Sequence, residues 1–176
     1  VSDWLEIDRY AVQISNRLQS SVVSDYEAYE FHQAVRKIQN FCSEDLGGFY
    51  LDILKDRLYT MPQNSSGRRS AQTALFHIAN SLIRLIAPIL SFTAEEAWTV
   101  LFGKGEDSIF FHTWYSFPQC GNKLVEEWSH LRDLRSKIQG AIEKKREEGL
   151  VGSSLEAEVT IDASPKDYIA LNRLGD

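Results

Sequence analysis

FHQAVRKIQNFCSEDLGGFYLDILKDRLYT, from Phe31 to Thr60, decides the fold of this 176-residue chain. Its apolar residues Phe31, Val35, Ile38, Cys42, Leu46, Phe49 and Ile53 recur at gaps of three and four. That spacing marks one face of an amphipathic helix rather than a strand. Gly47-Gly48 sits inside the run without breaking its register. Each glycine costs ~1 kcal/mol relative to alanine within a helix, so a kink is expected between two segments sharing one buried face. Two adjacent glycines would also let another backbone approach closely.

Upstream, Trp4, Ile7, Ala11, Ile14, Leu18 and Val22 form a second helical stripe, with Ser2 or Asp3 as candidate N-caps. Arg9, beside them, pairs on the plainest reading with Asp8 or Glu6 at the surface. Downstream, MPQNSSGRRS (Met61 to Ser70) carries the strongest loop signals in the chain. A third helix is expected from about Ser66 to Ala87, with Ala71, Leu75, Ile78, Leu82 and Ile86 on one face. Pro88 stops it, because the residue before a proline is pushed out of the α region. Thr93 and Glu96 have capping-box spacing at the start of a short helix ending near Phe102.

Gly103 to Gly121 reads as an extended crossover holding Ile109, Phe110, Phe111, Trp114, Tyr115 and Phe117. Aromatics at this density are expected to pack along the bundle, with ligand stacking by Trp114 the lesser reading. A charged helix follows from Lys123 to Glu148, and Gly149 is its natural C-terminal stop. Leu155 to Ala163 alternates like a strand, and Pro165 to Leu174 reads as a short helix. The expected fold class is therefore mainly α. An antiparallel helical bundle of four or five main helices spans residues 1–148, and a small C-terminal α/β stub spans 149–176.

Composition narrows the function classes. With 43% hydrophobic and 11% aromatic residues the chain is not a disordered one. Its most apolar run, Leu82 to Leu90, is broken by Arg84 and Pro88 and is too short to span a bilayer. Cys42, placed by the pattern on the core face, and Cys120 do not make a disulfide framework, and a reducing cytoplasm is the expected setting. The net charge of −6 does not advertise a nucleic-acid binder, so any RNA site has to be a local basic patch on an acidic body.

The segment FCSEDLGGFYLDILKDRLYT closely resembles the anticodon-binding helical domain of the bacterial-type isoleucyl-tRNA synthetase family, class I aminoacyl-tRNA synthetases. IDRYAV (Ile7 to Val12), RRSAQTALFHIA (Arg68 to Ala79) and APILSFTAEEAW (Ala87 to Trp98) agree in the same order. VGSSLEAEV (Val151 to Val159) is similar to that family's passage into its C-terminal region. The A-P-x-x-x-F-x-x-E-E-x-W pattern also fits the valyl and leucyl relatives, whereas DLGGFYLDILKDRLYT points to isoleucine. The resemblance implies a class Ia anticodon-binding bundle that recognises the anticodon arm of isoleucine tRNA. It further implies that the first helix follows a catalytic domain in a longer, cytoplasmic and monomeric ATP-dependent ligase. On that reading Arg9 is free to bridge to the catalytic domain. A four-cysteine zinc module closes many family members and has no counterpart in this sequence.

Catalytic signatures do not appear in the sequence. It holds no glycine-rich phosphate loop, nucleophile elbow or H-E-x-x-H pair, and nothing matches the HIGH or KMSKS types of the family. No cofactor is therefore expected for this chain itself, and aminoacyl-adenylate formation is excluded for it. His32, His77, His112 and His130 are read as structural or surface residues. Asp52 and Asp56, one helical turn apart, are read with Lys55 and Arg57 as a solvated ion-pair network rather than as acid–base carboxylates.

Arg68 and Arg69 fall in the first turn of the third helix, where the dipole disfavours cations by ~0.3–1 kcal/mol, a placement that a bound phosphate would offset. Lys55, Arg57 and Tyr59 end the preceding helix just before the same loop. The candidate tRNA-binding residues are accordingly Lys55, Arg57, Tyr59, Arg68 and Arg69, with no catalytic or metal-binding residue expected. Lys144-Lys145-Arg146 is weaker evidence, since a helix C-terminus welcomes cations without a ligand. The alternative is a helical protein–protein docking module with no RNA role, supported by the acidic charge and the aromatic crossover.

Overall fold

The computed structural model describes residues 4–105, 107–120, 123–153 and 156–172, with backbone alone at 123 and 166. It divides into two compact units, Val1–Gly121 and Asn122–Asp176, so the expected division after residue 148 falls inside the second unit. The first unit contains α1 (Glu6–Glu27), α2 (Phe31–Asn40), a π-helix (Phe41–Tyr50), α3 (Leu51–Thr60), α4 (Ser66–Ile86) and α5 (Ser91–Phe102). The second contains α6 (Lys123–Glu147) and α7 (Pro165–Asn172). No strand occurs among the described residues, and the fold is mainly α as the hydrophobic spacing predicts.

Hydrogen bonds at the helix ends give the topology of the first unit. Leu5 N donates to Ser70 Oγ at 2.9 Å, and Tyr26 Oη donates to the Leu85 carbonyl at 2.7 Å. These join start to start and end to end, so α1 and α4 run parallel. The rod from α2 to α3 runs the other way: Lys37 meets Asp25 near the end of α1 at 2.7 Å, and Arg57 meets Asp8 near its beginning. The short turn Ala28–Glu30 makes this reversal, with Tyr29 at φ 59°. Val22, Ala34, Ile38 and Leu85 form the core at the far end, joined by Leu18, Tyr26 and Ile86. Ala87, Ala94, Trp98 and Ile109 form a second cluster that seats α5 on α4.

The central rod is helical throughout, and Gly47-Gly48 does not interrupt it. Those glycines lie in a ten-residue π-helix, whose i→i+5 bonding widens the turn. A Cβ on Gly47 would stand 3.2 Å from the Cys42 carbonyl of the same helix, so the pair does not admit another backbone. The wider turn also shifts the buried face. It runs Ala34, Ile38, Phe41, Leu46, Phe49, Tyr50, Leu54 and Arg57, with a five-residue step from Phe41 to Leu46. Phe31 and Cys42, placed on the core face by a uniform 3.6-residue period, are exposed.

On α1 one buried line is mostly polar: Asp8, Ala11, Ser15, Gln19 and Val22. Each of its polar members has a partner, as buried polar groups require. Ser15 Oγ donates to the Ala11 carbonyl at 2.8 Å, and Ser81 Oγ donates to Gln19 Oε1 at 2.8 Å. Gln19 Nε2 in turn donates to the Tyr115 carbonyl at 2.7 Å, fastening the aromatic crossover to α1. The crossover does pack on the bundle. Trp114 stacks on Tyr26 with centroids 5.9 Å apart, and the Arg84 guanidinium lies 5.1 Å from the Trp98 ring and 5.5 Å from that of Tyr115.

Several local expectations come out differently. Ser2 and Asp3 lie outside the described residues, and α1 is preceded by Leu5, which supplies no side-chain cap. Helix α5 starts at Ser91, so Thr93 is already inside it, and no capping box forms. Glu95 instead accepts from Ser108 Oγ at 2.8 Å and Ile109 N at 3.1 Å. In the second unit Gly149 ends α6 at φ 72°, where glycine carries no Cβ penalty. Leu155 lies outside the described residues, and 156–163 forms no strand. An extended segment needs a neighbouring strand for its backbone groups, and none is present among the described residues. Helix α7 is tied to α6 by His130 and Asp167, and Ser164 Oγ accepts from Asp167 N at 3.2 Å.

His77 gives the first unit a pH dependence. Burial holds its imidazole below the usual range, and Nδ1 shares a 2.5 Å hydrogen bond with the Tyr115 hydroxyl. The unfolded chain therefore takes up this proton more readily than the folded one. Stability from this site is complete above the unfolded value of about 6.5 and is lost as pH falls from there towards the depressed folded value. Urea midpoints measured from about pH 7 to about pH 5 should decline, and His77→Gln should flatten part of that decline. A variant profile parallel to wild type would show that His77 is not the group responsible.

Candidate nucleic-acid interface

The loop between α3 and α4 brings the five sequence candidates to one end of the first unit, but not to one surface. Ser65 caps α4, accepting from Arg68 N at 3.3 Å. This cap orients the first turn, and Arg68 Nη1 reaches back to the Met61 carbonyl at 3.1 Å. Arg69 is exposed and lines a cleft of about 410 Å³ together with Trp4, Asn64, Ser66, Ser70 and Thr73. Lys55 is exposed on α3, bound to Asp52 at 3.1 Å, and Tyr59 stands 84% exposed. Backbone donors at the start of α4 and these cationic and aromatic side chains are suited to a phosphodiester backbone.

Arg57 is different. It is only 9% exposed, and its guanidinium is committed to the interior. Nη1 donates to Asp8 Oδ1 at 3.0 Å and Nη2 to Asp8 Oδ2 at 2.6 Å, a two-pronged pair with a carboxylate that is itself fully buried. Nη2 also donates to the Gly67 carbonyl at 2.6 Å. Tyr50 Oη donates to Asp8 Oδ1 at 2.7 Å, and Ser70 Oγ donates to Asp8 Oδ2. The Tyr50 phenol is pushed far above its ordinary range by burial first and the adjacent Asp8 second. So the solvated network expected around Asp52 and Asp56 includes Lys55 but not Arg57. Asp8, offered as a partner for Arg9, belongs to Arg57.

Sequence reasoning missed Asp8, Tyr50 and Ser70 as members of this cluster. One signal was available: Asp8, Ser15 and Gln19 repeat at gaps of seven and four, a polar line at helical spacing. Among the described residues no group of three or more His, Cys, Asp or Glu could hold a metal ion. Nor is any described helix long and apolar enough to cross a membrane. Lys145 and Arg146, at the end of α6, are paired with Glu148 at 2.7 Å and Glu143 at 3.4 Å.

This geometry, a helical bundle with cationic residues around one interhelical loop, coincides with a family assignment. The family model for the anticodon-binding domain of tRNA ligases matches residues 8–161, and the chain belongs to that family. Among its relatives, the isoleucine–tRNA ligase of Burkholderia cenocepacia is 54% identical over the whole of this chain. Those of Paraburkholderia phytofirmans and Paraburkholderia xenovorans are 56% identical over the same span. The chain covers 19% of the length of each of these relatives.

Proposed function

We propose that this chain binds the anticodon arm of isoleucine tRNA and positions it for ATP-dependent aminoacylation by an isoleucine–tRNA ligase. The observation that carries this reading is the family match over residues 8–161 together with 54–56% identity along the whole chain. Lys55, Tyr59, Arg68 and Arg69 form the RNA face, contacting backbone phosphates and sugars, while Arg57 acts from beneath it. The catalytic domain is the other partner, and the working protein is a cytoplasmic monomer. ATP use belongs to that catalytic domain and zinc to a separate C-terminal module; the described residues offer no group to hold a metal.

Backbone neutralisation releases counterions, so affinity should fall steeply with salt. Arg68→Ala/Arg69→Ala is expected to weaken binding of isoleucine tRNA and of a non-cognate tRNA alike, and to flatten the salt slope by about two. Titrations at two salt concentrations check this. A double variant with wild-type affinity and slope would remove these arginines from the RNA face. The docking-module alternative draws on exposed apolar side chains such as Phe92 and Phe111, 93% and 80% exposed. It predicts no salt-dependent tRNA binding at all.

A further inference from the structure

Two of the bonds made by the buried Asp8–Arg57 pair end on buried residues that flank the RNA face. Gly67, whose carbonyl accepts from Arg57 Nη2 at 2.6 Å, immediately precedes Arg68. Ser70, which donates to Asp8, immediately follows Arg69, and its oxygen accepts from Leu5 N at 2.9 Å. The Arg68-Arg69 dipeptide is thus held on both sides by one carboxylate–guanidinium pair reaching in from α1 and α3.

Stability alone does not account for such a pair. A buried ion pair is often replaced by apolar residues of similar volume with no loss of stability, because desolvation offsets the Coulombic gain. Apolar packing does not reproduce direction. A forked guanidinium on a carboxylate fixes both distance and angle, and here the same fork also grips a backbone carbonyl. We propose that Asp8, Arg57 and Ser70 are positioning residues for RNA binding, setting where the first turn of α4 presents Arg68 and Arg69. The inference rests on reading that face as the RNA site.

The test compares Asp8→Leu/Arg57→Met, Ser70→Ala and Arg69→Ala with wild type. Urea unfolding and binding of an isoleucine tRNA transcript at two salt concentrations are measured for each. The apolar double variant leaves the Tyr50 and Ser70 hydroxyls and the Gly67 carbonyl without their partners. It is therefore expected to stay folded in water with a lowered urea midpoint and to bind about tenfold more weakly, equivalent to about 1.4 kcal/mol, with a shallower salt slope. Ser70→Ala keeps the ion pair and should lose affinity in the same direction while remaining folded. If the double variant is folded and binds like wild type while Arg69→Ala weakens binding, the positioning role is overturned. If Arg69→Ala itself changes nothing, the reading of the face has failed, and the inference fails with it. Should the double variant not fold, Ser70→Ala decides: unchanged affinity in a folded chain overturns the proposal.

Discussion

Asp8→Ala is expected to destabilise the first unit by about 3–5 kcal/mol, the range for removing one partner of a buried ion pair. Asp8 is fully buried and receives Arg57, Tyr50 and Ser70 from three separate helical segments. Its loss leaves a guanidinium in the interior with no counter-charge and deprives two hydroxyls of their acceptor. Arg57→Met alone should be comparably damaging, since it strands the carboxylate instead. The two changes together should cost far less than their sum, because neither charge is then left behind. Urea unfolding of the two singles and the double gives the coupling directly. Additive penalties would mean that the two side chains do not act as a pair.

Phe49→Ala should cost about 3–5 kcal/mol, as usual for emptying a buried aromatic site. Phe49 is 5% exposed and meets Tyr10 edge to face, with centroids 6.2 Å apart and planes at 87°. It lies in the π-helical stretch and packs on Tyr10 of α1, so the resulting void is bounded by helices that relax little. A urea midpoint giving less than ~1 kcal/mol would place Phe49 outside the core.

Much of the fold was legible because it rests on local signals. The loop at Met61 to Ser65 and the end of α6 at Gly149 each follow from residue types acting within one turn. The same holds for the first-turn placement of Arg68 and Arg69. Cys42 was misplaced because the buried line through α2 passes through Ala34, Ile38 and Phe41, off the stripe read through Phe31, Val35 and Cys42, and the π-helix shifts it again only at Leu46. Arg57 was read as a surface cation because nothing within its own helix reveals Asp8, forty-nine positions away in sequence. Chemistry confined to α3 favours Asp52 or Asp56 as its partner, and only the tertiary structure brings the first helix to its guanidinium. The alternation at 157–163 was a sound strand signal locally, but a strand is a property of a pair. Tyr59 and Lys55 are exposed, since the polar face of an amphipathic helix faces water unless something covers it.

The ten π-helical residues have an evolutionary consequence. At 100° per residue, a uniform α-helix would carry Leu54 about 160° around the rod from Ile38, yet both are buried. The widened turns absorb that difference, and so they select which downstream residue is delivered to Asp8. At unchanged length, relaxing Phe41–Tyr50 to ordinary pitch would swing Arg57 away without altering it, so an insertion or deletion there keeps Arg57 in place only if the pitch changes with it. Length in this segment is therefore under the same selection as the identity of Arg57. Lineages retaining the ion pair should tolerate substitutions along Phe41–Tyr50 far better than insertions or deletions.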